Sequence, residues 1–264
     1  STRTRLYLDK AFEICISDEI DSPLMICSHE RSGTHLLMNS LSYCTKYQND
    51  PYLDFDYHTL GSTVNFFSQK EIFNFYRQMK SIKSEGNEYC LSSIVKSHFP
   101  ITLLGKKVYN SLKIIYIYRN PVEVFISFWK YLNSISYFLG PKADSPLATA
   151  LSTPCGYSQR YQLKNYKNYF ERWAMHVSDA FLLAKKNDYI NMVSFSELIN
   201  NHSKIIKETC QSLEIKLIKN PSIPEKVNYF SGAKLEASDS EKEILYNYCF
   251  NEIRKYNDLP IDII

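Results

Sequence analysis

The sequence lacks the features that mark membrane-spanning, disulfide-stabilised and repeat proteins. No apolar run approaches the roughly 18–20 residues that cross a bilayer, and we expect no signal peptide. The seven cysteines are odd in number and include no C-x-x-C pair. No internal repeat and no Pro-, Gly- or Ser-rich linker divides the 264 residues. We therefore expect a single cytoplasmic domain over residues 1–264, with reduced cysteines and no membrane partner.

The charge balance does not indicate a nucleic-acid partner. The chain has 31 basic and 28 acidic residues, which give a formal net charge of +3 at pH 7. This excess is too small to indicate binding to nucleic acid, although it allows a local basic pocket. We therefore expect no nucleic-acid partner.

Apolar runs alternate with amphipathic helical patterns along the chain, and the runs read as buried strands. The four expected strands cover residues 24–27, 91–95, 113–118 and 189–195. The expected helices cover residues 34–46, 69–80, a segment beginning at Pro121, 161–186, 203–213 and 238–256. Residues 134–160 are interpreted as a long loop. The order of strands and helices predicts an α/β domain with a central parallel sheet flanked by helices.

Residues 49–58 combine carboxylates with aromatic side chains around Pro51 and are interpreted as a loop. The acidic residues of this loop, Asp50, Asp54 and Asp56, suit the mouth of a substrate pocket, and their negative charge favours a cationic acceptor as the substrate. A solvated acidic loop without a binding role is the alternative.

The stretch after the first expected strand is typical of a phosphate-binding turn. Residues 28–34 read Ser-His-Glu-Arg-Ser-Gly-Thr and lead into a helix. Such a turn directs backbone N–H groups at an anion, and the helix N-terminus adds about half a positive charge. Arg31 adds a full charge. The spacing is not that of a Walker P-loop, and an ordinary strand-to-helix turn remains an alternative.

Two further strand ends carry residues suited to the same kind of site. Lys96 and His98 are two residues apart, which places them on one side of an extended chain, at the edge where parallel sheets bind ligands. Arg119 follows the strand at 113–118, and Ser127 lies two turns into the next helix. This guanidinium and this hydroxyl could close on one anion. A structural histidine, a locally paired arginine and a serine that merely fits are the alternatives.

Taken in order, these motifs resemble those of the sulfotransferases that use 3′-phosphoadenosine 5′-phosphosulfate (PAPS). Residues 31–36 resemble the family's 5′-phosphosulfate loop, and residues 96–100, Lys-Ser-His-Phe-Pro, resemble the motif with the catalytic histidine. Arg119 with Ser127 is similar to the 3′-phosphate motif, and residues 195–198 are a weaker likeness of a motif near the adenine. The resemblance implies a P-loop-like sulfotransferase fold.

The resemblance also implies an activity and a set of site residues. The activity is in-line transfer of a sulfuryl group from PAPS to a hydroxyl or amine of a small-molecule acceptor, without a metal, leaving 3′-phosphoadenosine 5′-phosphate (PAP). The implied catalytic residues are His98 as general base, Lys96 and Arg31. The implied nucleotide-binding residues are Arg31, Ser32, Gly33, Thr34, His35, Arg119, Ser127, Phe195 and Lys234. The implied acceptor-binding residues are Phe55, Tyr57, Phe128 and Tyr131.

Departures from the family pattern leave alternatives open. Arg31 stands where the cytosolic enzymes have Lys, and Leu36 stands where many relatives have the Trp that stacks on adenine. The family's late Arg-Lys-Gly loop is absent, and residues 231–234, Ser-Gly-Ala-Lys, lie about where it would be. A P-loop kinase or other phosphotransferase and a non-catalytic nucleotide-binding module therefore remain alternatives. The oligomeric state is not predicted.

Overall fold

A computed structural model describes residues 24–54, 93–103, 113–135, 140–154, 161, 165–224 and 235–264. Within these ranges, five strands form one sheet in which all neighbours are parallel. They are β1 (Leu24–Ser28), β2 (Gln48–Asp54), β3 (Ser93–Ser97), β4 (Lys113–Tyr118) and β5 (Ile190–Ser194). Their order is β2-β3-β1-β4-β5, so β1 is central and the strand order reverses there. The predicted parallel α/β fold is confirmed.

Helices cover both faces of the sheet. The α-helices of the described ranges are α1 (Thr34–Cys44), α2 (Pro121–Ser134), α3 (Pro146–Leu151), α4 (Tyr169–Ala184), α5 (Phe195–Asn200), α6 (His202–Ser212) and α7 (Asp239–Ile253). Two 3-10 helices cover Ile101–Leu103 and Ile261–Ile263. No helix in the described part of the chain has the length and apolar character that a membrane span requires.

The central strands are apolar on both sides because each side packs against a helical layer. Met25 and Cys27 of β1 belong to a core formed with α2, α3, α4 and α7. Leu24 and Ile26 belong to a second core formed with α1, α5 and α6. Successive side chains of a strand point to opposite faces, so one short run supplies both cores. This arrangement fixes β1, and the loop that follows it, between two packed layers.

β2 is a strand where the sequence predicts a loop, and this part of the prediction is wrong. Gln48–Asp54 pairs with β3 through an irregular register, although Pro51 lies within it. Proline lacks an N–H donor and is confined to edge strands or bulges. β2 is the edge strand of the sheet, so the loss of this donor is tolerated.

Several helix boundaries also differ from the prediction. The helix expected from residue 161 begins at Tyr169, where Asn168 accepts a hydrogen bond from the N–H of Glu171. α3 lies inside the expected loop 134–160 and begins after Ser145, which caps it. α2 begins after Asn120, whose side chain caps it, and α7 begins after Ser238, which forms a capping box with Glu241. The helix expected over residues 69–80 lies outside the described residues.

Candidate active site

The carboxyl ends of three neighbouring strands meet at one edge of the sheet. Cys27 of β1 lies beside Ser97 of β3, and Ser28 lies beside Ile117 of β4. The segments that follow these strands therefore start from adjacent points. In open α/β sheets, ligands bind at this edge where the strand order reverses. The residues that follow the three strand ends include Arg31, His98 and Arg119.

The loop between β1 and α1 contains two residues with left-handed backbone conformations. Arg31 has a φ of 65° and Gly33 a φ of 97°. A residue other than glycine at positive φ is uncommon, and such residues cluster at functional sites. Gly33 is also the N-cap of α1, and within the described residues no side chain caps this helix. The first N–H groups of α1 are therefore available to an anion.

Phe195, at the start of α5, packs against this loop. A Cβ atom added to Gly33 would lie 2.3 Å from Cδ2 of Phe195 and 2.6 Å from its Cε2. The Cζ of Arg119 lies 4.2 Å from the centroid of the same ring, within cation–π range. The aromatic residue singled out from the sequence thus contacts both the loop and a candidate phosphate ligand, and only glycine fits at position 33.

Two arginine side chains lie close together beside this loop. Arg31 Nε donates a hydrogen bond of 3.0 Å to Ser127 Oγ. Arg119 Nη1 donates to the main-chain carbonyl of Arg31 at 3.2 Å, and Arg119 Nε donates to Glu123 Oε2 at 2.8 Å. Burial lowers the pKa of Arg31; Tyr131 acts against this shift, and the charge of Arg119 adds to it. The structure therefore joins Ser127 to Arg119 through Arg31, in a group that favours a bound anion.

Ser28 connects the loop to His98. Its Oγ lies 2.6 Å from Thr34 Oγ1 and 3.2 Å from His98 Nδ1, and its carbonyl oxygen lies 3.0 Å from the same nitrogen. A carbonyl only accepts, so His98 Nδ1 carries the hydrogen and donates it to Ser28. In the neutral ring Nε2 is then the basic nitrogen. Ser28 opens the phosphate-binding stretch named from the sequence, but its contact with His98 was not predicted.

A buried polar cluster contacts the main chain of His98. Arg172 Nη1 lies 2.5 Å from Glu30 Oε2, and both residues are at most 6% exposed. Arg172 Nη2 and His176 Nε2 donate to the carbonyl of His98 at 3.0 and 3.1 Å. None of these three residues was singled out from the sequence. One feature of the sequence could have indicated the cluster: Arg172 and His176 lie four residues apart on α4, with the buried Trp173 between them.

The remaining members of this cluster are uncharged. Tyr116 Oη lies 2.5 Å from His176 Nδ1, and Tyr161 Oη donates to Glu30 Oε1 at 3.0 Å. Burial lowers the pKa of His176 to about 4 and holds the pKa of His29 well below its usual value. Both histidines are therefore neutral at pH 7. Because His176 Nε2 faces a carbonyl oxygen, Nε2 carries the ring hydrogen and Nδ1 accepts from Tyr116.

The two described acceptor-site candidates differ in exposure. Phe128 is 1% exposed, and its ring centroid lies 6.4 Å from that of His29 and 5.0 Å from that of Tyr169. Tyr131 is half-buried and lies parallel to Phe128, with their centroids 6.5 Å apart. The Cζ of Arg31 is 4.9 Å from the Tyr131 ring. Of this pair, Tyr131 presents surface beside the candidate anion site, and Phe128 packs behind it.

The other residues singled out from the sequence lie in three settings. Ser32 is buried, and its Oγ has no hydrogen-bond partner among the described residues. His35 is half-buried in the first turn of α1, and Lys96 is half-buried in β3, in register with Asp54 of β2. Outside the described residues lie Phe55, Tyr57 and Lys234, as well as Asp56. No group of three or more His, Cys, Asp or Glu suited to a metal ion occurs in the described ranges.

Comparisons with known proteins show which family and fold this chain resembles. Residues 21–252 match a family model described as a sulfotransferase domain. Sulfotransferase 2A1 of Macaca fascicularis is 27% identical over 122 residues, which cover 46% of this chain and only 38% of that relative.

Two solved structures resemble the chain over most of its length, each with 15% identity and a TM-score of 0.57. Mouse sulfotransferase SULT7A1 complexed with PAP is matched over 98% of this chain and 93% of its own. A sulfotransferase from Alicyclobacillus acidocaldarius is matched over 89% and 94%. At this identity the likeness shows the fold.

Proposed function

The chain belongs to the sulfotransferase domain family, and from this premise we propose that it transfers a sulfuryl group from PAPS to a hydroxyl or amine of a small-molecule acceptor. One observation carries the proposal. Arg31, bonded to Ser127 and Arg119, lies at the same sheet edge as His98, whose Nδ1 is held by Ser28. An anion-binding group and an oriented base thus follow neighbouring strands, as transfer of an anionic group to a nucleophile requires.

The residues at this edge fit a nucleotide with phosphates at two positions. PAPS, when bound, supplies the sulfuryl group together with a PAP leaving group. The 5′ side would be held by Arg31, the Thr34 hydroxyl and the N–H groups that begin α1. The buried Ser32 Oγ, which lacks a partner among the described residues, adds a donor within the same loop. His35, in the first turn of α1, is the remaining candidate there.

The 3′-phosphate would be held by Arg119 and Ser127, with Phe195 nearby for the adenine. SULT7A1, which shares the fold, was solved with PAP, and this supports the same nucleotide here. Arg119 already pairs with Glu123 on the exposed side, so its remaining guanidinium nitrogens are the ones that a phosphate would use. Lys234 is proposed on sequence position alone.

The base is assigned to His98 because its hydrogen is committed to Ser28, which leaves Nε2 to take the proton of the acceptor. Lys96 lies in β3, two residues before His98, and adds a positive charge between donor and acceptor. Arg31 keeps its charge throughout and so stabilises charge that develops on the leaving phosphate rather than donating a proton. These roles require no metal ion.

The acceptor is proposed to bind beside Tyr131, with Phe128 supporting that ring from the core. Phe55 and Tyr57 complete the proposed pocket by sequence position. A cationic acceptor is proposed from the sequence, in which Asp50, Asp54 and Asp56 follow one another closely and Asp54 is in register with Lys96 on the neighbouring strand. Neutralising the three aspartates to Asn would then weaken cationic acceptors and leave neutral ones unchanged.

Calorimetric titration with PAP and with ADP, both without magnesium, tests the nucleotide assignment. PAP is expected to bind much more tightly than ADP. Arg119→Met is expected to remove most of this difference, whereas Arg254→Met, at the end of α7, leaves it unchanged. Equal binding of PAP and ADP would contradict PAPS as the donor and would favour a phosphotransferase.

Transfer of labelled sulfuryl from PAPS to a panel of alcohols, phenols and amines tests the activity itself. His98→Ala is expected to lower the rate about 10²- to 10⁴-fold, the range for loss of a general base, while PAP still binds. PAP binding with no transfer to any acceptor by the unaltered protein would indicate a non-catalytic nucleotide-binding module. A His98→Ala variant with an undiminished rate would remove His98 from the mechanism.

A further inference from the structure

The main-chain carbonyl of His98 receives two hydrogen bonds from a single helix. Arg172 Nη2 donates at 3.0 Å and His176 Nε2 at 3.1 Å, and the two residues are four apart on α4. Both are 0% exposed. Most carbonyl groups at the end of a strand bond to backbone or water, so two buried side-chain donors on one such carbonyl form a specific clamp.

Each donor is itself held in place by another buried group. Arg172 Nη1 is bonded to Glu30 Oε2 at 2.5 Å, and Tyr161 Oη donates to the other oxygen of Glu30 at 3.0 Å. His176 Nδ1 lies 2.5 Å from Tyr116 Oη on β4. Since the His98 carbonyl can only accept, His176 Nε2 carries the single hydrogen of the neutral ring, and Tyr116 Oη donates to Nδ1.

The clamp acts on the residue that must be placed most accurately. The His98 ring is held by the bond from Nδ1 to the Ser28 carbonyl, and the His98 main chain is held by α4. Ring and main chain are thus fixed by different elements, β1 and α4. Loss of either anchor would let Nε2 move, and displacements near 1 Å at a reacting group cost about a hundredfold in rate.

We propose that Arg172 and His176 are positioning residues for His98, which hold its carbonyl so that the imidazole keeps its bond to Ser28 and directs Nε2 at the acceptor. This rests on the proposed function only for the role of His98 as base; the clamp itself is a property of the fold. Glu30 and Tyr116 serve the clamp by orienting its two donors.

Two variants of His176 form a matched pair that separates this role from packing. The amide nitrogen of Gln lies near the position of Nε2, so His176→Gln keeps a donor to the His98 carbonyl. The amide of Asn lies near the position of Nδ1, so His176→Asn keeps a partner for Tyr116 and loses that donor. We expect His176→Asn to lower kcat about tenfold to a hundredfold with unchanged PAP affinity, and His176→Gln to retain most of the rate. Equal rates in the two variants would overturn the proposal.

Arg172 is tested with a charge-balanced double variant. Arg172→Met leaves the buried Glu30 carboxylate without its arginine partner, which destabilises the fold for reasons unrelated to His98. Adding Glu30→Gln removes that charge, so the double variant is expected to regain thermal stability while kcat stays low. Recovery of both stability and kcat would mean that Arg172 is structural only.

A readout without turnover separates the clamp from the proposed function. In protein labelled with ¹⁵N-histidine, the His98 ring signals are identified by their loss in His98→Gln. The unaltered protein and His176→Gln are expected to show the Nδ1–H form of His98, and His176→Asn a mixture of both tautomers. If these tautomers are observed and the unaltered protein transfers no sulfuryl group, the clamp is supported and the proposed function is refuted. The same His98 signals in all three proteins would overturn the clamp.

Discussion

Gly33 is the residue with the least freedom to change in the loop between β1 and α1, the proposed phosphate site. Its φ of 97° is one that side chains rarely adopt, and a Cβ atom would lie 2.3 Å from Phe195. We predict that Gly33→Ala lowers the free energy of unfolding by about 1–3 kcal/mol through backbone strain, and weakens PAP binding about tenfold, or about 1.4 kcal/mol. Urea unfolding and PAP titration measure the two effects.

The background variant Phe195→Ala separates steric overlap from backbone strain at this position. Removing the ring relieves the contact with the new Cβ but leaves the positive φ. Gly33→Ala is therefore expected to lower the free energy of unfolding by less in the Phe195→Ala background, but still to lower it. A double-mutant cycle measures the difference. An undiminished PAP affinity in Gly33→Ala would argue that this loop does not hold the nucleotide.

His176 links the buried cluster to the pH dependence of stability. Its pKa falls from 6.5 to about 4 in the folded chain, mainly through burial, with Arg172 adding to the shift and Glu30 opposing it. The unfolded chain takes up this proton below pH 6.5 and the folded chain does not, so stability falls as the pH drops from 6.5 towards 4. Since each unit of pKa corresponds to about 1.4 kcal/mol, His176 contributes roughly 3 kcal/mol to this loss.

Urea unfolding of the unaltered protein and His176→Gln between pH 8 and pH 4 measures this contribution. The ring of His176 contacts Tyr116, His29 and the carbonyl of His98, and the charges of Arg172 and Glu30 act on it. The variant lacks one titrating group, so its stability is expected to fall less steeply below pH 6.5. Parallel curves for the two proteins would contradict the prediction.

Sequence reasoning at the residue scale identified the groups that face the sheet edge but not those behind it. Arg31, His98 and Arg119 follow strands that pair side by side, so the order of motifs was enough to predict that they meet. Arg172 bonds to Glu30 across 142 positions of sequence. No local sequence pattern relates the two residues. Their ion pair forms only when α4 packs against the loop that follows β1, so it could not be predicted from the sequence.

Among the elements, α4 is the one whose start matters for the site. Asn168 is 7% exposed, and its side chain accepts a hydrogen bond of 2.8 Å from the N–H of Glu171, one residue before Arg172. We predict that Asn168→Ala lowers the free energy of unfolding by about 1–2 kcal/mol, as cap losses do. It is also expected to lower kcat, because the first turn of α4 carries Arg172.

The cap of α7 provides the matched control for this prediction. Ser238 forms a capping box with Glu241 on a helix that carries none of the proposed site residues. Ser238→Ala is therefore expected to destabilise the fold without lowering kcat. An equal change of kcat in the Asn168 and Ser238 variants would indicate that the rate follows overall stability rather than the placement of Arg172.

Strands and helices were predictable where buried apolar residues form a regular pattern in the sequence. They were missed or misplaced where polar residues or proline interrupt that pattern. The four predicted strands are buried runs and were all found, with β4 at its predicted bounds. β2 was missed because polar residues and Pro51 belong to an edge strand with a single neighbour. The start of α4 was placed too early because Tyr161 and Tyr166 are buried in the same core without being part of the helix.

At the scale of the whole molecule, the two cores share one sheet. Each face of β1 and of β4 contributes to a different core, so both helical layers pack against the same strands. The family match over residues 21–252 spans both cores. We therefore propose that the chain unfolds as a single domain, as expected from its sequence.

Unfolding followed by two probes, with and without PAP, tests this proposal together with the nucleotide site. Circular dichroism and tryptophan fluorescence are expected to show one coincident transition, because Trp129 and Trp173 report on the core that contains α2 and α4. PAP at one hundred times its Kd is expected to stabilise that transition by about 2.7 kcal/mol, and ADP at the same concentration by much less. Because the proposed anion site lies where β1, β3 and β4 end, PAP is expected to shift both probes equally. Separate transitions, or a PAP shift confined to one probe, would mean that the sheet does not couple its two layers.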